Sequence, residues 1–204
     1  MTRSFCTGPD GGLLLLIGAL LLSGVAGSSP AAAQSARPAV PDADARWRTL
    51  RSEILNPGFF FQSVGAGTGA HLGDEPEAWG ETPGGYAARV GSNAGAALLQ
   101  IGTTHALAAA LRLDIRPRLR QHDGVGTRLR HAALAPFVAR TPTGARVPNL
   151  PNAAGAYAGA LAQTRWECGR WTPGRALQST AISLGVDIGV NVVRALVNPS
   201  PGGE

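Results

Sequence analysis

Lysine is missing altogether: all 18 basic residues of the 204-residue chain are arginine. That excludes a lysine Schiff base, a phosphate-loop lysine and a lysine general base. Cysteine is nearly as scarce, with only Cys6 and Cys168. With Cys6 inside the expected leader, Cys168 would be the only mature cysteine, which rules out a cysteine-ligated zinc site. The four histidines, His71, His105, His122 and His131, form neither H-E-x-x-H nor His-x-His, so the chain offers no metal-ligand spacing and implies no cofactor. Long β-branched runs of alternating polarity are absent too, which argues against an extensive sheet.

What is present begins with an export signal. Arg3 gives a positive start, partly offset by Asp10, and Leu13 to Leu22 is an almost unbroken apolar run. Small residues follow, and Ala31-Ala32-Ala33 fits the A-x-A cleavage rule, with Gln34 as the first mature residue. The apolar stretch, ending near Ala26, is shorter than the roughly 20 residues of a spanning helix. We therefore expect residues 1–33 to be a cleaved signal peptide and the mature protein to work in the periplasm or cell envelope. Cleavage removes one arginine and one acid, so the net charge stays at +5. It also removes Cys6, which leaves Cys168 without an intrachain partner.

The mature length suits one domain. Residues 34–41 read as a flexible lead-in, 42–198 as a helical domain and 199–204 as a disordered tail. Asn56-Pro57, Thr82-Pro83 and Thr172-Pro173 each put a capping side chain before a proline, the signature of a helix start. Arg116-Pro117, Thr141-Pro142 and Asn198-Pro199 read as stops. Helices are predicted at about 42–55, 58–70, 83–113, 127–139, 151–165 and 173–197. The fold class is mainly α, a single small-residue-rich bundle of five or six helices.

Four of these helices carry glycines four residues apart: Gly65 and Gly69, Gly91 and Gly95, Gly155 and Gly159, Gly185 and Gly189. A helical glycine costs about 1 kcal/mol against alanine. Its repetition one turn apart points to close backbone approach between helices.

No catalytic constellation emerges. Gly91-Ser92-Asn93-Ala94-Gly95 has its serine in the wrong place for a nucleophile elbow. Gly65 to Ala70 lacks the frame of a phosphate cradle. Arginine is the more physical signal, with Arg112, Arg116, Arg118, Arg120, Arg128 and Arg130 opposed only by Asp114 and Asp123. The planar guanidinium suits phosphate. Outside the cytoplasm this favours anionic lipid or a lipopolysaccharide surface as partner and disfavours nucleic acid.

Leu55-Asn56-Pro57-Gly58-Phe59-Phe60, Trp79-Gly80, Gly84-Gly85-Tyr86-Ala87-Ala88-Arg89-Val90-Gly91 and Gly185 to Val193 together resemble a set of uncharacterised exported bacterial proteins. Those proteins open a long Gly/Ala helix with a W-G…G-Y-x-x-R-x-G pattern and end in an amphipathic helix. The resemblance, over roughly 55–197, implies a helical envelope protein and no activity, and the arginine-rich 112–122 segment departs from it.

The expectation is thus a non-enzymatic envelope protein associated peripherally with a membrane through its arginine-rich loop. Two other readings stay open. One is a periplasmic enzyme in which His122, Asp123 and the acidic 74–81 loop converge. The other is an integral bundle packed through the glycine pairs.

Overall fold

The computed structural model describes residues 41–116 and 124–197. Residues 1–40, on which the expected leader falls, residues 198–204 and the 117–123 segment, with Arg118, Arg120, His122 and Asp123, lie outside the described residues. The chain is mainly helical: α1 (Ala43–Ile54), α2 (Pro57–Leu72), α3 (Pro83–Ala110), α4 (Val125–Leu134), α5 (Leu150–Cys168) and α6 (Pro173–Val197).

Local chemistry sets the starts. The Asp42 carboxylate accepts from the Ala45 amide, Asn56 Oδ1 from the Gly58 amide and Thr82 Oγ1 from the Gly85 amide. Asn149, not foreseen as a cap, does the same for α5 by accepting from the Asn152 amide. Thr172 does not cap α6 with its side chain, since its Oγ1 is buried without a hydrogen-bond partner. Its backbone amide instead donates to Thr164 Oγ1 of α5. α5 closes on Gly169 at φ +68, the left-handed conformation that glycine enters without a Cβ clash.

Two expectations need correction. The helix drawn over 127–139 stops at Leu134, because Pro136 cannot extend the α-helical hydrogen-bond ladder, and a 3-10 turn (Ala135–Phe137) takes over. A hairpin that the sequence did not announce follows. Strand β1 (Val138–Arg140) pairs antiparallel with β2 (Arg146–Pro148), matching Val138 to Pro148, Ala139 to Val147 and Arg140 to Arg146.

α3 is the spine. It packs along α5 on one side and α2 on the other, α6 packs on α5, and α4 on α6. The interior is unusual in content. Among the described residues the buried aliphatic side chains are Leu113 and six alanines, and the largest fully buried side chains are Arg89 and Pro151. Close approach replaces bulk. A Cβ on Gly155 would sit 2.6 Å from Gln100 O and against Thr104 Oγ1, and one on Gly159 would sit 2.5 Å from Ala96 O. On α2 the tight position is Gly67, whose Cβ would lie 2.8 Å from Val90 Cα.

The other glycine pairs are placed differently. A Cβ at Gly69, Gly91, Gly185 or Gly189 would meet nothing within 4 Å, and one at Gly95 only the Trp166 ring. Gly65 is half-buried.

Candidate functional site

Polar groups collect where the C-terminal ends of α2 and α5 meet the N-terminal ends of α3 and α6. Arg89, one and a half turns into α3, is buried to 0% exposure. Its guanidinium donates from Nε to Glu75 O (2.9 Å), from Nη1 to Gly80 O (2.6 Å), and from Nη2 to Pro76 O and Asp74 Oδ1 (both 2.9 Å). Nη1 also meets His71 Nδ1 at 3.1 Å. A guanidinium only donates, so the histidine accepts at Nδ1 and holds its proton on Nε2.

These bonds fold the acidic 74–81 segment around one side chain. Gly85 admits the turn, because a Cβ there would strike the carbonyls of Trp79 and Gly80. Tyr86 completes the clamp, with its hydroxyl 3.2 Å from Thr68 Oγ1 and its ring edge-to-face with His71. The W-G…G-Y-x-x-R pattern is therefore a structural lock. It occupies the acidic loop with a cation from its own chain.

Beside the clamp, α3 and α5 are joined by a second network. Ser92 Oγ donates to Glu167 Oε1 at 2.5 Å and accepts from Trp166 Nε1 at 2.8 Å and Gln163 Nε2 at 3.3 Å. Gln163 Nε2 also donates to Glu167 Oε1 at 2.9 Å. Burial pushes the Glu167 carboxyl above its ordinary range, while the Ser92 and Gln163 hydrogen bonds and the charges of Arg175 and Arg89 pull it back. Burial likewise raises Glu75, which Arg175 lowers and Glu167 raises further. Arg175 is itself lowered by burial and supported by both acids.

An open depression of about 380 Å³ lies over this network, lined by Trp79, Ala88, Gly91, Ser92, Gly95 and Trp166. Its chemistry is limited. The serine oxygen already donates one hydrogen bond and accepts two, which uses its hydroxyl capacity and leaves no lone pair aimed at an incoming carbonyl. Ser92 and Glu167 thus tie two helices together.

Of the arginines foreseen as an anion site, Arg112, Arg116, Arg128 and Arg130 are among the described residues. Arg116 folds back on Asp114, donating from Nε at 2.9 Å and from Nη2 at 3.1 Å. That hydrogen bond raises the Arg116 pKa. Arg112 is exposed at φ +52 just beyond α3. Arg128 is half-buried on α4 with a shielded, unpartnered Nε, and Arg130 is exposed. Asp187 on α6 is half-buried and takes a hydrogen bond from the Asn152 side chain.

No group of three or more His, Cys, Asp or Glu suited to a metal occurs among the described residues. Cys168 is disulfide-bonded.

The sequence held a signal for the two networks. Arg89 is the only charge between Glu81 and Arg112, and Glu167 the only acid between Asp123 and Asp187. A lone charge in an Ala/Gly helix is either functional or held in place by neighbours, and here both are held.

No protein family, curated protein or solved structure matches this chain.

Proposed function

We propose that this chain is a non-enzymatic helical protein of the cell envelope, exported through its leader and working at a membrane surface. One observation carries the reading: the bundle is apolar outside and small or polar inside. Phe60, Phe61, Leu98, Leu99, Leu177 and Leu196 are all exposed, while Arg89, Ser92, Thr104 and His105 are buried. Over α3 from Pro83 to Leu111, every exposed residue is Pro, Gly, Ala or Leu.

Each large apolar side chain left in water forgoes about 1.5–3 kcal/mol of burial. Exposed apolar area on this scale is the mark of an interaction surface. α6 is long and apolar enough to cross a bilayer, with 11% of its apolar window buried. Asp187 and Arg194 within it, at about 2.5–3.5 kcal/mol each near a bilayer centre, favour lying against lipid over crossing it. Catalysis has less support, because Asp74 is paired with Arg89 and the Ser92 oxygen is saturated.

The test is fractionation of the full-length protein expressed in a Gram-negative host, with mass spectrometry of the mature N-terminus. The expected product starts near Gln34, sediments with membranes in high salt and is released by alkaline carbonate. A mature product found only in the soluble periplasmic fraction overturns the membrane assignment. Release by detergent alone would place the helices within the bilayer and overturn the peripheral one.

A further inference from the structure

Resting on the membrane reading above, we propose that the corner formed by α4 and the last turns of α6 is the face that docks on an anionic lipid bilayer. Its contact residues are Arg130, Leu134, Val193, Arg194, Leu196 and Val197. This site differs from the 112–120 arginine segment that the sequence singles out.

Three observations converge on this corner. First, its apolar side chains are uncovered: Leu134 is 45% exposed, Val193 41%, Leu196 50% and Val197 57%. On the α6 wheel Leu196, Val193 and Val197 fall within an arc of about 100°. Ala195, on the opposite side, is 2% exposed. The last two turns therefore present one apolar face outward and seat the other against the bundle.

Second, α4 packs on α6 and turns an exposed arginine and leucine, Arg130 and Leu134, outward one turn apart. An arginine beside an aliphatic side chain is the pairing that a lipid interface accepts. The apolar stem enters the acyl boundary while the guanidinium stays at the phosphate level.

Third, the charge is of one sign. α4 and the last two turns of α6 hold Arg128, Arg130 and Arg194 and no acid. On α6 the one acid, Asp187, takes a hydrogen bond from Asn152. An apolar face that carries the exposed Arg130 and Arg194 complements a surface of anionic head groups. A soluble partner chain would equally cover the apolar face, but nothing in that match requires uniform positive charge.

The test is co-sedimentation of the full-length protein with phosphatidylcholine vesicles that contain or lack phosphatidylglycerol. The wild type should bind both and prefer the anionic vesicles, with a preference that salt erases. Val193→Ser, Leu196→Gln and Val197→Ser together should weaken binding to both vesicles by about tenfold or more. Arg130→Gln with Arg194→Gln should remove the anionic preference alone. Arg112→Gln with Arg116→Gln should leave binding as in the wild type.

Wild-type binding that the apolar triple variant leaves intact sinks this face while the membrane reading stands. So does binding lost only on replacing Arg112 and Arg116. A wild type that binds neither vesicle overturns both, and self-association abolished by the triple variant would then make a second copy of the chain the occupant. A photoreactive residue at Leu196 guards against misfolded variants. It should cross-link to lipid where one at Leu177, at the other end of α6, does not, and equal cross-linking at both overturns the assignment.

Discussion

Arg89 and Asp74 meet at 2.9 Å across the mouth of the bundle, with the arginine side chain fully buried and the aspartate still 39% exposed. The asymmetry identifies which partner matters. Asp74 can turn to water if the pair is broken, but the carbonyls of Glu75, Pro76 and Gly80 would lose their shared donor. Arg89→Met, which keeps the volume, should cost about 3–5 kcal/mol of stability. Asp74→Asn should cost about 1 kcal/mol, since the amide oxygen still accepts. Urea unfolding of the three proteins decides it, and equal losses would mean that the ion pair, rather than the carbonyl cradle, holds the loop.

Gly155 and Gly159 should behave unlike Gly185 and Gly189, although the sequence writes them identically. A methyl group at either of the first two meets a carbonyl oxygen of α3 at 2.5–2.6 Å, so α3 and α5 must separate. Alanine there should destabilise by about 1–3 kcal/mol, as overpacking does. At Gly185 and Gly189 the space is open, and alanine should stabilise by about 0.5–1 kcal/mol through helix propensity alone. Thermal melts of the four single variants would show two signs; one sign throughout would refute the close-packed α3–α5 seam.

How much of this was legible differs element by element. Asn56-Pro57 and Thr82-Pro83 announced α2 and α3 because a cap is a local event, complete within four residues. Thr172-Pro173 announced a start correctly but misstated its chemistry, since Thr164 of a neighbouring helix supplies the acceptor. The hairpin was illegible because three-residue strands carry no period, and its register comes from the ladder, which only the folded chain assembles. The glycine pattern overstated itself: spacing within a helix does not say which side faces a neighbour. The Ser92–Glu167 network joins residues 75 positions apart, a juxtaposition no local pattern encodes.

Glu167 should make stability fall as pH rises. Its folded pKa is raised by burial, so the folded state keeps a proton that the unfolded chain releases near the ordinary value of 4.5. Between that value and the higher folded one the native state binds more protons, and each step up in pH erodes its advantage. Glu75, raised for the same first cause, adds in the same direction. Glu167→Gln keeps an oxygen for Ser92 and cannot titrate, so its stability profile should be flatter across the window. Parallel profiles for the variant and the wild type would remove Glu167 as the source.

Arg112 offers a stabilising test. It follows the last turn of α3 at φ +52, its amide donating to Ala109 O and that of Leu113 to Ala108 O. This is a helix stop in which glycine is the favoured residue. Arginine there carries about 1 kcal/mol of left-handed strain. Arg112→Gly should therefore raise stability by about that amount in urea unfolding. A loss instead would mean that the arginine side chain makes a compensating interaction.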